Sequence, residues 1–462
     1  MKINKPFSLF VPVDAVEMIN SKVKRNREIY FYIIHYLMIV PTLNKRYQNG
    51  YVPINCKEIQ RIIRNNPKTY KNLLEKYELI QSDKLYFKGK KSLYYRINPA
   101  MLTNAYIVEV KPGCSLYRSL WTHKKNERTN DSKLEPYLKE MLKAFMQLSF
   151  NYDAAFKWIS SVSDNNKRNS YNIAMLQLMD QRERYFKRNT TNNRLDTNLT
   201  NLKKDLRQFI KGDFVSIDLV NSQPFFLFLL IDVFGQNNLL TLNYNTIQPD
   251  KHTHIPLCSE IKLKSIVKTF GLQQIKDCAK NRKINEMAFF TNLSKYKNWT
   301  CSGLFYDNFI KHFANKYDRD EIKKIMFAVL FSQNEMHSHF RRYVPYEKEK
   351  KLFAEVFPVI SDMITKLKRK DHSSMAIYLQ RLEAEIFIDN IAKRLCENGI
   401  VPLTIHDSVI VETKYQSKAL QIMQGVFMQA FGIVPQFKAE MLHKRNETAK
   451  VKDILTVNVG KC

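Results

Sequence analysis

The sequence lacks the features that mark disulfide-bonded, secreted and membrane proteins. Its seven cysteines are odd in number and scattered, with no Cys-x-x-Cys pair, which argues against a disulfide framework and against a zinc site. No apolar run reaches the roughly 18 residues that a membrane-spanning helix needs. Residues 1–6 open no signal-peptide pattern. We therefore expect a soluble, cytoplasmic protein with no membrane contact.

Acidic residues are few relative to basic ones. The chain has 74 Lys and Arg against 44 Asp and Glu, which gives a net charge of +30 and an isoelectric point near 9.6. This excess implies a polyanionic partner. Because it is spread along the chain, a long nucleic-acid channel fits better than a basic tail, and a membrane surface is the competing polyanion. Residues 1–110 show no paired carboxylates of the kind that a proofreading exonuclease needs to bind metal ions.

Two short apolar stretches each carry one aspartate. Residues 401–405 and 409–411 are typical of the two arms of a β-hairpin with Asp407 at its tip, and a strand over 214–217 runs into Asp218. Carboxylates on adjacent buried strands would bind divalent cations, and such ions can clamp both oxygens of a phosphoryl transfer. Either aspartate taken alone is more often a turn or helix-capping residue.

A third segment, between the two aspartates, has a basic or aromatic residue at every fourth position. These residues are Arg319, Lys323, Phe327 and Phe331. Residues four apart share one face of a helix, so this face would offer two cations to a triphosphate and two rings to a base. An amphipathic core helix with solvated basic residues is an equally good explanation of the segment alone.

Together the three segments resemble the family A polymerases, that is, bacterial DNA polymerase I and the related single-subunit phage-type RNA polymerases. Residues 405–409 are similar to motif C of that family, and residues 218–223 to motif A. Residues 319–331 are similar to motif B, Arg-x3-Lys-x3-Phe-x3-Tyr, with Phe331 in place of the Tyr. The family's order A, B, C is kept, and the resemblance covers about residues 180–412.

The resemblance implies an α+β right-hand polymerase with an antiparallel β palm, a helical thumb and helical fingers. Asp218 and Asp407 would be the catalytic and metal-binding residues, holding two Mg²⁺ ions, with Mn²⁺ as a substitute. The nucleotide-binding residues would be Arg319, Lys323, Phe327, Phe331 and Gln223. The nucleic-acid-binding residues would be Arg194, Gln380, His406, Arg182 and Arg184.

Two positions depart from the DNA polymerases of the family. Gln223 stands where they carry a Glu whose bulk excludes the ribose 2′-OH, so the size is kept and the charge is lost. Ser408 follows the motif C aspartate, as in the RNA polymerases. The family's Thr-Gly-Arg-Leu-Ser segment is matched around Arg194, with Asn193 in place of the Gly, and Asn tolerates a left-handed backbone.

The first 110 residues predict a separate winged-helix-like module. Helices are expected at 15–24, 29–39, 56–64 and 67–79, followed by a basic hairpin over 84–97 that turns at 88–90. Two helices and a basic hairpin are the outline of a winged helix-turn-helix, which binds duplex DNA or a partner such as a replication initiator or another mobile-element protein.

The remaining boundaries follow from the motifs. We expect a linker at 111–130, a thumb and pre-palm segment at 131–210, palm with motif A at 211–233, fingers at 234–340, and palm with a closing helix at 341–462. Further helices are predicted at 134–150, 154–162, 174–186, 373–394 and 417–431. An insertion at 238–254 is unassigned, and its His252 and His254, with Cys258, are only a weak metal signal.

The sequence therefore predicts a template-directed DNA polymerase without an exonuclease, acting on a DNA primer-template and deoxynucleoside triphosphates and serving the replication of a mobile element. One alternative is a primer-independent RNA polymerase or primase-like enzyme of the same fold. The other is a non-catalytic replication initiator or DNA-binding factor. Extension assays, and binding of Mg²⁺ at the two aspartates, would distinguish the three.

Overall fold

The structure is a computed structural model, and it describes residues 6–43, 47, 50–54, 57–63, 67–86, 92–101, 105–127, 134–179, 184–231, 286–337, 342–369 and 371–442. The chain divides into two compact units. The first comprises residues 1–133, 149–185 and 201–211, and the second residues 134–148, 186–200 and 212–462. Among the described residues, no helix is both long enough and apolar enough to cross a membrane.

The first unit combines helices with two small antiparallel sheets. Its strands are Phe7–Pro12, Val52–Pro53, Ile80–Ser82, Tyr94–Ile97 and Ala105–Val110. Its helices are Val13–Lys22, Arg27–Leu43, Lys57–Ile63, Pro67–Lys76, Ser115–Glu127, Tyr152–Ser160, Asn165–Met179 and Lys204–Arg207, with a 3-10 turn at Pro99–Met101. The predicted order of two short helices followed by an antiparallel hairpin is present.

The hairpin begins earlier than the sequence predicted. Strand Ile80–Ser82 pairs with Tyr94–Ile97, and residues 84–86, the described part of the expected first arm, form no strand. Ile80 and Ile97 face each other and are buried, so burial of apolar side chains sets the pairing. The predicted turn at 88–90 lies outside the described residues.

The expected linker at 111–130 is wrong over most of its length, because Ser115–Glu127 is a helix. Its sequence is polar on average, but Leu116, Tyr117 and Leu120 are spaced on one face and are buried in the core of the first unit. A narrow apolar stripe within a polar stretch was enough to form a packed helix.

The helix predicted at 174–186 lies earlier, at Asn165–Met179. Residues 186–188 instead form the strand Phe186–Arg188, which pairs with Leu195–Thr197. Phe186 is buried, and its ring centroid lies 6.5 Å from that of Phe145 within the second unit. Tertiary burial therefore overrides the local helical pattern here.

The second unit holds the remaining elements. Its strands are Phe186–Arg188, Leu195–Thr197, Phe214–Leu219, Met336–His337, Arg342–Tyr343, Leu403–Ile405, Ser408–Glu412 and Phe437–Met441. Its helices are Pro136–Gln147, 222–231, Glu286–Cys301, Phe305–His312, Arg319–Phe331, Glu347–Val356, Pro358–Leu367, His372–Ala384, Lys393–Glu397 and Gln416–Phe431. A wide-turned helical segment, Glu385–Ala392, joins two of these helices, and a 3-10 turn spans Thr413–Tyr415. The short helix Asn198–Asn201 spans the boundary between the units.

A four-stranded antiparallel sheet, here called the central sheet, organises the second unit. Its strand order is Leu403–Ile405, Ser408–Glu412, Phe214–Leu219, Phe437–Met441. The apolar side chains that alternate along the two middle strands belong to the core, as do those of helix 222–231. The predicted hairpin and the predicted strand before Asp218 are both confirmed, whereas the edge strand Phe437–Met441 was not predicted. The protein is thus a mixed α and β protein with antiparallel sheets and many helices.

Candidate functional site

The register of the central sheet brings the two predicted aspartates together. Asp218 lies opposite Ser408 on the neighbouring strand, so Asp407 is one residue beyond that pair. The backbone N–H of Leu219 donates to the carbonyl oxygen of Asp407 over 3.2 Å. Residues 218 and 407, which are distant along the chain, therefore share one end of two adjacent strands.

Two serines support Asp218 from the same face of the sheet. The Ser216 hydroxyl donates to Asp218 Oδ1 over 2.9 Å and lies 2.6 Å from the Ser408 hydroxyl. Because the single proton of Ser216 is directed at the carboxylate, the Ser408 hydroxyl donates to Ser216. Both serines are buried, which gives a short chain of hydroxyl groups ending on Asp218. Ser408 therefore has a structural partner within the sheet.

The electrostatics of Asp407 favour a bound cation. Burial raises the pKa of Asp407, and the negative charge of Asp218 works in the same direction. A hydrogen bond from the Ser222 side chain and the positive charge of Arg194 oppose this rise. Two carboxylates that repel each other in a partly buried place are stabilised when a divalent ion neutralises them.

Gln223 and Arg194 meet at a residue to which the sequence assigned no role. Arg194 forms an ion pair with Glu383 Oε2 over 2.6 Å, and Gln223 Nε2 donates to the same oxygen over 3.2 Å. The Glu383 side chain is only 1% exposed. Burial raises the pKa of Glu383 to about 7, while Arg194 opposes the rise and Asp407 adds to it.

The loop that carries Arg194 is attached to the His372–Ala384 helix. Asn192 donates to the side-chain oxygen of Gln380 over 3.0 Å, and the Arg381 side chain donates to the carbonyl of Thr191 over 2.8 Å. Asn193 has φ +58°, the left-handed conformation anticipated at this position. Arg194 and Gln380, both predicted to contact nucleic acid, thus lie on neighbouring elements.

The predicted motif B segment is a helix, Arg319–Phe331. Asp318 and Glu321 form a complete capping box at its start. Its buried face packs into the core, while Phe327, on another face, is 54% exposed. The Phe327 and Phe331 ring centroids lie 5.5 Å apart. Phe331 is partly buried against the core, so Phe327 is the ring of this face that is exposed and available for a ligand.

Tyr306 interacts electrostatically with Arg319 of this helix and with Asp407. Burial raises the pKa of Tyr306 to about 12, while Arg319 lowers it and Asp407 raises it further. The Arg319 guanidinium lies 5.4 Å from the centre of the Tyr306 ring and donates to both Asp307 oxygens over 3.2 Å. Lys323 forms an exposed ion pair with Asp320 at 3.7 Å.

The other predicted residues occupy varied places. His406 forms the turn of the hairpin with φ +55° and is exposed. Arg184 belongs to the first unit, where it donates to the Leu178 carbonyl over 2.9 Å and lies 3.4 Å from the Tyr152 hydroxyl. Arg182, His252, His254 and Cys258 lie outside the described residues.

Sequence reasoning missed three site residues. Glu383 had no assigned role, although a glutamate inside an apolar helix is a signal for a buried partner. Asn221 has φ +56°, is buried, and both polar atoms of its side chain are without a hydrogen-bond partner among the described residues. Tyr306 was missed because no pattern in the sequence related it to Asp407.

The two aspartates suit a Mg²⁺ ion whose remaining ligands come from water and a substrate. No group of three or more His, Cys, Asp or Glu side chains is arranged to hold a metal within the part of the chain that the structure describes. Mg²⁺ is commonly bound by only one or two carboxylates, with water and substrate phosphates as the other ligands. Asp218 and Asp407 fit that pattern, so the residues present are compatible with Mg²⁺.

The chain was compared with family models, with curated proteins and with solved structures. No family model and no curated protein matches the chain. The chain is similar to a structure described as the POL domain of Pol1 from M. smegmatis in complex with DNA primer-template and dNTP, at 13% identity and a TM-score of 0.24. The match covers 63% of this chain and 55% of that chain, so this chain spans about half the length of that protein.

Proposed function

We propose that this chain is a template-directed DNA polymerase of the family A type that adds deoxynucleotides to a primer 3′-OH. The observation that carries the proposal is the juxtaposition of Asp218 and Asp407 at one end of the central sheet. Neighbouring carboxylates of this kind suit metal-assisted phosphoryl transfer. The order of the three sequence motifs and the net charge of +30 support the same conclusion.

In this proposal each side chain has one task. Asp218 and Asp407 would hold two Mg²⁺ ions, which when bound activate the primer hydroxyl and stabilise the pyrophosphate leaving group. Arg319 and Lys323 neutralise the triphosphate, and Phe327 and Phe331 pack on the nascent base pair. Arg194, Gln380 and His406 position the primer terminus, and Gln223 lies against the nucleotide sugar.

The surrounding segments complete the proposed right-hand architecture. The central sheet would be the palm, the Arg319–Phe331 helix part of the fingers, and residues 131–210 the thumb and pre-palm segment. The N-terminal winged-helix-like module, residues 1–110, would bind duplex DNA or a partner such as a replication initiator. Arg182 and Arg184 would contact backbone phosphates, where cationic side chains release counterions on binding. The setting we propose is the replication of a mobile element.

A primer-independent RNA polymerase or primase-like enzyme is the second candidate. Gln223 carries no charge at the position next to the sugar, and Ser408 follows the motif C aspartate. These two residues are the observations that favour it.

The test is extension of a labelled primer by the full chain in Mg²⁺. Deoxynucleotides and ribonucleotides are supplied in separate reactions, with and without primer and template. We expect template-dependent addition of deoxynucleotides to the primer. Products formed from ribonucleotides without a primer would favour the second candidate, and absence of addition in every reaction would overturn both.

Two variants locate the chemistry. Asp407→Asn should abolish nucleotide addition, a loss of at least about 10³-fold, while DNA affinity remains close to that of the wild type. Glu412→Gln, at the exposed end of the same hairpin, is the matched control and should retain activity. Undiminished extension by Asp407→Asn would remove the proposed mechanism.

A further inference from the structure

The loop over residues 189–194 is attached to one helix by three polar contacts. Asn192 contacts Gln380, Thr191 contacts Arg381, and Arg194 contacts Glu383, at 3.0, 2.8 and 2.6 Å. Glu383 is the most buried partner on the His372–Ala384 helix, at 1% exposure. Leaving its charge without partners would be costly, so its hydrogen bonds are strongly constrained.

The same carboxylate also orients Gln223. Oε2 of Glu383 accepts from both Arg194 and Gln223. Because Oε2 accepts from Nε2 of Gln223 as well as from Arg194, the amide NH₂ of Gln223 faces Glu383 and its carbonyl oxygen faces away. That oxygen, Gln223 Oε1, is buried and has no hydrogen-bond partner among the described residues. The hydrogen bond to Glu383 thus fixes the Gln223 side chain in one of the several orientations that a free glutamine can adopt.

We infer that Glu383 is a positioning residue for sugar selection, acting by holding Gln223 rigidly against the sugar of the incoming nucleotide. The inference rests on the proposed function, in which Gln223 lies beside that sugar. A glutamine with free torsion angles can turn away from an extra hydroxyl, whereas an anchored one must first break its bond to a buried carboxylate. The selective element is therefore the pair Gln223–Glu383.

The experiment measures kcat/KM for dATP and for ATP opposite the same template base. Wild type should prefer dATP. Gln223→Ala and Glu383→Ala should each lower the ratio of the two values about tenfold. Glu383→Gln keeps an acceptor oxygen in place and should recover most of the preference. The ratio does not depend on the fraction of folded enzyme, so partial misfolding of a variant cannot imitate the effect.

A double variant tests whether Glu383 acts through Gln223. Because the two side chains form one unit, Gln223→Ala combined with Glu383→Ala should give the same ratio as Gln223→Ala alone. Asp389→Asn is the matched control. Asp389 lies in the helical segment that follows Glu383, and this change removes its 2.7 Å ion pair with Arg188. It should leave the ratio unchanged.

Three results would overturn the inference. These are an unchanged ratio in Glu383→Ala, multiplying effects in the double variant, and a wild-type enzyme that does not distinguish the two sugars. In each case nucleotide addition itself persists and the proposed function stands. If the wild type adds neither nucleotide, the proposed function has failed and this inference falls with it.

Discussion

The backbone N–H of Leu219 donates a hydrogen bond to the carbonyl oxygen of Asp407 over 3.2 Å. This bond continues the ladder in which Asp218 lies opposite Ser408. A shift of one residue in the pairing would turn Asp218 towards the core and Ile217 towards the site, because successive side chains in a strand point to opposite faces. The register is therefore the structural basis of the paired carboxylates.

Removal of the Ser216 hydroxyl should weaken the site without destroying it. Ser216→Ala deletes the donor to Asp218, and a lost hydrogen bond to a charged group should lower the rate of nucleotide addition about tenfold. Ser408→Ala, one step further along the hydroxyl chain, should have a smaller effect. Single-turnover rates at several Mg²⁺ concentrations give the measurement. A Ser216→Ala rate equal to wild type would contradict a role for this hydroxyl.

Neighbouring lysines on the motif B helix should differ in their effects. Lys323→Ala should raise the KM for the nucleotide about tenfold or more, since a charge-assisted contact to the triphosphate is lost. Lys324→Ala is the matched control, because the next residue of a helix points about 100° away. Steady-state kinetics on a saturating primer-template separate the two. Equal effects at both positions would indicate only a loss of general positive charge.

The ring of Phe327 should matter for substrate and hardly for folding. It is 54% exposed, so Phe327→Ala should change the free energy of unfolding by less than about 0.5 kcal/mol. Loss of stacking on a base should still reduce nucleotide affinity about tenfold. Phe309→Ala, in the core, should instead cost about 3 kcal/mol or more of stability. Denaturant titration and nucleotide binding of both variants are the measurements, and a large loss of stability in Phe327→Ala would refute the prediction.

Lys368 should make stability depend on pH. Its ammonium donates to the carbonyl of Val329, in the last turn of the motif B helix, over 2.7 Å. Burial lowers the pKa of Lys368 to about 7, and the charge of Lys350 acts in the same direction. The unfolded chain, with a lysine pKa of about 10.4, retains this proton over the range in which the folded protein loses it. The free energy of unfolding should therefore rise as the pH increases above 7.

Urea titrations at about pH 7, 8 and 9 test this dependence. The wild type should gain about 2 kcal/mol more than Lys368→Met over that range, since one pKa unit corresponds to about 1.4 kcal/mol. Lys324→Met replaces an exposed lysine in the same way and should follow the wild type. Parallel curves for wild type and Lys368→Met would show that the buried ammonium does not titrate in this range.

Local patterns account for the elements that were predicted well. The hairpin around Asp407, the strand before Asp218 and the helix Arg319–Phe331 have side-chain periodicities of two or of about four residues. The closing helix, Gln416–Phe431, was predicted to within one residue. Each of these elements buries one regular face, so its pattern is visible in the chain itself.

Elsewhere, packing decided the structure. Helix Ser115–Glu127 forms in a stretch expected to be a linker, and the strand Phe186–Arg188 begins at the last residue of an expected helix. In both places a few buried aromatic or aliphatic side chains outweigh the polar or helical character of their neighbours. The edge strand Phe437–Met441 is stabilised by pairing with Phe214–Leu219, a partner that the local sequence does not reveal.

The sequence by itself determined which residues have the chemistry for the site: two aspartates on short apolar strands, and a helix with cations and rings four residues apart. Only the tertiary structure decided that Asp218 and Asp407 meet in one register and that Glu383 joins Arg194 to Gln223. The physical reason is that periodicity reports which face of an element is buried, whereas hydrogen bonds between distant residues depend on how the finished elements pack.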